Sequence, residues 1–211
     1  MPSVQKSRAI QKTRRRERRG RIYLLGTLVL IVTVALGLYV YASAQPPPIV
    51  YAKLNTPQGQ IEVELYQSLT PKTVTNFVNL AKSGFYNNLV WHRIVKGFVI
   101  QTGDPNSRNG YNNSTWGQGG SSQTVPLEIV SSLHNNAGYL GMARSSDLNS
   151  GSSQFYINLA NNPSLDGNYT VFGKVIGGMD VALAIGNVAV NSQSQPINPV
   201  FLTNVTISSS P

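Results

Sequence analysis

Leu89-Val-Trp-His-Arg-Ile-Val-Lys-Gly-Phe-Val-Ile-Gln-Thr-Gly-Asp104 is the stretch on which the reading of this chain turns. Leu89 to Val95 is rich in β-branched and aromatic residues and predicts a strand. Arg93 does not belong in such a run, because burying an unpaired guanidinium costs several kcal/mol. It must reach water, a carboxylate or a polar cleft. Gly97 lets the chain turn. A second apolar run, Phe98 to Ile100, follows, and then Gln101, whose amide can bond a guanidinium. If the two runs are neighbouring strands, Arg93 and Gln101 share one surface beside Phe98. That surface is an apolar patch with one fixed cation. His92 points to the opposite face of its strand and reads as a packed histidine.

Working outward, the region from Ile49 to Ser208 alternates short strand patterns with turns. Ile49 to Leu54 predicts a strand, Thr56-Pro-Gln-Gly59 a turn, and Gln60 to Tyr66 a second strand. In the latter, Ile61, Val63 and Leu65 alternate with Glu62 and Glu64, so the two glutamates read as a solvated outer face rather than a paired-carboxylate site. Thr70-Pro71 starts a helix, with Thr70 as N-cap and proline at the first helical position. Val74, Phe77, Val78 and Ala81 form its apolar stripe, and Gly84 ends it. Asp104 to Pro126 is a long Gly-, Asn- and Ser-rich loop of the kind that carries function. Gly138 to Ala143 and Ser153 to Leu159 predict strands, with a loop from Arg144 to Gly151 between them. Gly178 to Ile185 predicts a short helix, and Val200 to Ser208 a closing strand. Many short strands with two helices imply a mainly β, antiparallel barrel with capped ends.

The net charge of +9 is uneven. Residues 1–41 hold nine Lys or Arg against the single acid Glu17, whereas the rest holds eight against seven. The high pI therefore belongs to an N-terminal tail and gives no argument for nucleic-acid binding by the folded part. There is no cysteine, which excludes disulfides, thiol catalysis and cysteine-based zinc sites. The histidines, His92 and His134, form no ligand cluster, and no Ser-His-Asp spacing is evident. Met1 to Arg21 reads as a disordered basic arm. Ile22 to Tyr41 is an uncharged segment about 30 Å long as a helix, enough to span a bilayer. With the arginines only on its N-terminal side, that end is expected in the cytoplasm and the rest exported. Three readings compete: a buried core helix, which the lack of a polar face and the linker that follows argue against, an uncleaved anchor, which the segment's length favours, and a signal peptide cleaved after Ala44 in Ala42-Ser43-Ala44. Residues 42–48 form a Pro-rich linker, leaving residues 49–208 as the folded domain.

Five blocks of this domain resemble the cyclophilins, a family of peptidyl-prolyl cis-trans isomerases. They are His92-Arg93-Ile94 with Gly97-Phe98-x-x-Gln101-x-Gly103-Asp104, then Gly141-Met142-Ala143, Ser153-Gln154-Phe155-Tyr156-Ile157, Leu165-Asp166-Gly167 and Val171-Phe172-Gly173-Lys174-Val175. The resemblance implies a closed eight-stranded antiparallel β-barrel capped by two α-helices, preceded here by one transmembrane helix. It implies catalysis of X-Pro rotation with no metal and no cofactor, on proline-containing polypeptides, by a protein expected to act as a monomer. Matched block by block, Arg93 is the catalytic donor and Gln101 orients it. Phe98, Val99, Tyr156 and Leu165 line the proline pocket, with Tyr169 beside them. Ala143, Arg144 and Gln154 hold the substrate backbone.

Several positions depart from the family pattern. Tyr156 replaces the usual phenylalanine, so a hydroxyl is expected near the proline ring. Val99 replaces a methionine. Arg144 stands where asparagine is frequent, as in bacterial-type members. Ser164 stands where many eukaryotic members carry the tryptophan that contacts cyclosporin, and Tyr169 where histidine is frequent. Two functions fit these residues. One is an active isomerase acting on exported or membrane proteins. The other is a membrane-tethered module that binds proline peptides or aids assembly with little catalysis.

Overall fold

A computed structural model describes residues 23–41, 49–110 and 113–211. The basic arm and the Pro-rich linker lie outside these residues. The chain divides into two units, one ending at Pro46 and one beginning at Pro47. In the first, Tyr23–Tyr41 is a helix, α1, of 19 residues, none charged and none buried. By length and composition it could cross a membrane. Its two threonine hydroxyls bond back to its own carbonyls, Thr27 to Leu24 and Thr33 to Leu30.

The second unit is built on an eight-stranded antiparallel sheet. Its strands are β1 (Val50–Thr56), β2 (Gly59–Leu65), β4 (Arg93–Val95), β5 (Val99–Thr102), β6 (Tyr139–Met142), β7 (Phe155–Asn158), β8 (Val171–Gly177) and β10 (Asn204–Ser208). Their order is β10-β1-β2-β8-β6-β7-β5-β4. A separate ribbon pairs β3 (Leu89–Val90) with β9 (Phe201–Leu202).

The expected closed barrel is not formed: the sheet curls but stays open between β4 and β10. Two local events explain the gap. The predicted strand Leu89 to Val95 breaks at Trp91-His92, so its first half pairs with β9 while its second half pairs with β5. Trp91 N–H bonds the Val200 carbonyl, and the free edge of β4 is taken by a loop, with Ile94 N–H on the Ser194 carbonyl.

The inward face of the sheet carries the alternating apolar residues. Leu54, Ile61, Val63, Ile94, Ile100, Leu140, Ile157 and Phe172 are all buried. Helix α2 (Pro71–Lys82) drives Phe77 into this core, where its ring meets Tyr86, Phe155 and Phe172 at centroid distances of 5.2, 5.3 and 5.5 Å. A short helix, α3 (Met179–Ile185), packs beside β2 and buries Ala182 and Ile185. The N-terminus of α2 differs from expectation. Thr70 makes no side-chain cap and bonds back to the Tyr66 carbonyl instead. The cap comes from Glu128, whose carboxylate accepts from the Lys72 and Thr73 N–H groups at 3.1 and 2.8 Å. A carboxylate there meets both the unpaired donors and the positive end of the helix dipole.

Candidate active site

The hairpin β4–β5 places Arg93. Gly97 takes φ +69° in its turn, a conformation that glycine adopts without strain. The register pairs Arg93 with Gln101 and Val95 with Val99. Arg93 therefore stands on the outer face, exposed, while its neighbour Ile94 enters the core. Its Nη1 donates to Gln101 Oε1 at 3.5 Å, and its guanidinium carbon lies 6.0 Å from the centre of the Phe98 ring. Gln101 is itself braced, donating to Gln154 Oε1 at 2.8 Å. Gln154 in turn donates to the Gly117 and Gly119 carbonyls at 3.1 and 2.7 Å. The long loop after Asp104 thus anchors the amide chain that supports Arg93.

One groove of about 280 Å³ is lined by Arg93, Phe98, Val99, Gln101, Ala143, Arg144, Tyr156, Leu165 and Tyr169. These are nine of the ten residues singled out in the sequence. Gln154 lines an adjoining cavity of about 310 Å³, with Ala143, Arg144, Gly119, Ser150 and Ser152. Phe98 and Leu165 are half-buried, and none of Phe98, Val99, Tyr156 or Leu165 belongs to the main apolar core. An apolar surface outside the core and facing a concavity is free to hold an apolar ligand.

Tyr156 corrects the sequence reading. Its hydroxyl does not enter the groove. Strand register sets Tyr156 opposite Gly141, and the ring tip occupies the space a side chain at Gly141 would need. The hydroxyl then donates to Asn135 Oδ1 at 2.8 Å, behind the groove wall. Burial pushes this phenol well above its ordinary pKa, so it stays neutral. Asn135, absent from the sequence reading, is 1 % exposed and also accepts from Asn158 Nδ2 at 3.3 Å. Its backbone N–H and side-chain amide both donate to Asp166 Oδ1, at 2.7 and 3.1 Å. Those bonds, the backbone one foremost, hold the Asp166 carboxyl below the usual range, and His134 adds a contact at 2.9 Å. His134 is therefore a partner of Asp166. No local pattern signals this network, because its members come from three separate segments.

His92 is buried opposite Arg93. Burial pushes its pKa down to about 4 despite the pull of Asp104, so it is neutral near pH 7. Among the described residues no group of three or more His, Asp or Glu could hold a metal ion.

Residues 51–207 match the family described as cyclophilin type peptidyl-prolyl cis-trans isomerase. A peptidyl-prolyl cis-trans isomerase-like 1 of Aspergillus niger is 43 % identical over 157 residues, covering 72 % of this chain and 91 % of that protein. Human peptidyl-prolyl cis-trans isomerase-like 3 is 38 % identical over 159 residues, covering 75 % and 96 %. The crystal structure of a Cryptosporidium parvum cyclophilin-type isomerase superposes with a TM-score of 0.71 at 32 % identity, covering 77 % of this chain and 99 % of that one. The same protein crystallised in the presence of the dipeptide Ala-Pro gives 0.69 at 32 % identity, covering 75 % and 98 %. The family match begins at residue 51 and leaves α1 outside it.

Proposed function

The chain belongs to the cyclophilin-type peptidyl-prolyl cis-trans isomerases, and from that premise we propose that it accelerates X-Pro rotation in exported or membrane proteins, with Arg93 as the catalytic donor. Rotation is opposed by the partial double bond of C–N, a barrier of about 20 kcal/mol, and uncatalysed exchange takes tens of seconds or longer. No bond is made or broken, so no nucleophile is needed. The catalyst must favour the twisted state, in which conjugation is lost and the nitrogen lone pair is localised. Arg93 offers an N–H donor to that nitrogen or to the neighbouring carbonyl. Gln101 and Gln154 hold the guanidinium side in place before substrate arrives, so little reorganisation is required at the twisted state. Phe98, Val99, Tyr156 and Leu165 take the proline ring. Ala143, Arg144, Gln154 and Tyr169 flank the path of the backbone. A barrier lowered by about 5 kcal/mol would give several thousand-fold acceleration.

The observation that carries this reading is the juxtaposition of a braced, exposed arginine with an apolar groove outside the core. The test is exchange NMR on an X-Pro peptide with the full chain in detergent. Acceleration of cis-trans exchange is expected. Peptide binding without acceleration would leave only a tethered binding module.

On location, the reading is a single-pass protein with a cytoplasmic N-terminus and the isomerase domain exported. It is supported by the uncharged α1, by threonine hydroxyls bonded to its own backbone as hydrocarbon demands, and by the absence of any Lys or Arg between Arg21 and Lys53. The bacterial-type likeness rests on Arg144. Mass spectrometry of the mature N-terminus tests the anchor: a chain starting at Gln45 and released in soluble form would defeat it while leaving export intact.

A further inference from the structure

We propose that the groove favours prolines flanked by an acidic side chain, and that Arg144 is the residue that selects them. The inference rests on the isomerase reading above and extends it to substrate class. The two cavities described meet at Gln101, Ala143 and Arg144, which line both. A peptide that places its proline in one and continues into the other passes Arg144. The linings of the two together contain two arginines and no Asp or Glu.

Arg144 is held in place by its own surroundings. Its Nε donates to the Asn168 carbonyl and its Nη1 to the Ser145 carbonyl, both at 2.8 Å. Its guanidinium carbon sits 4.9 Å from the centre of the Tyr169 ring. These contacts fix the guanidinium without neutralising it, and they leave Nη2 uncommitted among the described residues. A substrate carboxylate thus meets a pre-organised planar donor and need not order a flexible side chain.

The nearby acids are engaged elsewhere. Asp104 lies beneath Gly119, fully buried, and accepts from the Asn106 and Gly117 N–H groups. Asp166 is bound to Asn135 and His134. Asp147, in the exposed loop beyond Arg144, accepts from the Asn149 N–H. From Ala42 onward the chain is nearly neutral, eight Lys or Arg against seven acids, so the positive character belongs to the groove and not to the whole surface.

The experiment uses the full chain in detergent with two sets of matched peptides. One set differs only in the residue before proline, the other only in the residue after it, each being Glu, Gln or Lys. At one of the two positions, kcat/KM for Glu should exceed that for Gln by about twofold to fivefold, the range of a partly exposed ion pair. Lys should fall below Gln, and high salt should bring the ratios toward one. Arg144→Gln should abolish the Glu-to-Gln ratio, and Arg144→Lys should keep part of it. Because the ratio is read within one preparation, partial unfolding of a variant scales every peptide equally. Equal rates for all three residues in the wild type, with the Gln peptide accelerated, would overturn the selection while leaving the isomerase reading standing. A ratio that survives Arg144→Gln would overturn the assignment to Arg144. Acceleration of no peptide would defeat the isomerase reading and this inference with it.

Discussion

Replacing Tyr156 with phenylalanine separates the two jobs of that ring. In the structure the ring body faces the groove, while the hydroxyl points behind it to Asn135. The change removes one buried neutral hydrogen bond of 2.8 Å and little packing. Asn135 Oδ1 keeps a second donor, Asn158 Nδ2 at 3.3 Å, so it is not left wholly unpaired. The expected loss is therefore near the middle of the usual range for such a bond, about 1 kcal/mol. For a domain of this size that lowers Tm by roughly 3 °C. Turnover is expected to stay within about twofold of wild type, because the groove surface is unchanged by a change of under about 0.4 kcal/mol in the transition state. Calorimetry and exchange NMR on the same sample measure both. A fivefold or greater change in KM with Tm unmoved would refute this reasoning, since it would place the hydroxyl in the groove. Removing Asn135 instead, as Asn135→Leu, strands the Tyr156 hydroxyl and takes the side-chain donor from Asp166 while the backbone N–H remains, and should cost clearly more than Tyr156→Phe.

Phe98→Ala should raise KM while costing well under the ~3–5 kcal/mol of a core phenylalanine, because Phe98 is half-buried and outside the core; chemical denaturation and peptide titration together check this. His92 makes stability acid-sensitive. Its folded pKa, about 4, lies below its unfolded value near 6.5. The unfolded state therefore binds the proton first, and the contribution, full above pH 6.5, is lost as pH falls toward 4. From pH 7 to 4.5 the loss should be roughly 2 kcal/mol, and His92→Gln should shrink it in urea titrations at the two pH values. Asp166, with its carboxyl depressed, acts in the same direction but only below the ordinary carboxylate pKa. Glu128→Ala should destabilise by about 1 kcal/mol through loss of the α2 cap, read as a lower unfolding midpoint.

What the sequence disclosed was local. Arg93, Gly97, Phe98 and Gln101 fall within nine residues, and a strand-turn-strand pattern suffices to put them on one face. The remaining groove residues came from family likeness, because Ala143, Tyr156 and Tyr169 come from separate segments that no local pattern brings together. The break at Trp91-His92 was hidden, since both residues are apolar enough to continue a strand and the competing partner, Val200, lies over a hundred positions away. The open seam follows from that break. The Glu128 cap was hidden for the same reason, being 55 residues from Thr73. The direction of the Tyr156 hydroxyl depended on Gly141 leaving room for the ring.

Arg93→Ala tests the central claim most directly. Arg93 is exposed and outside the core, so its loss should leave the unfolding free energy within about 0.5 kcal/mol of wild type. If it is the donor to the twisted peptide, kcat/KM for an X-Pro peptide should fall by about 10²–10³, the usual effect of removing one pre-organised donor. A variant that folds normally and turns the peptide over at the wild-type rate would contradict the account.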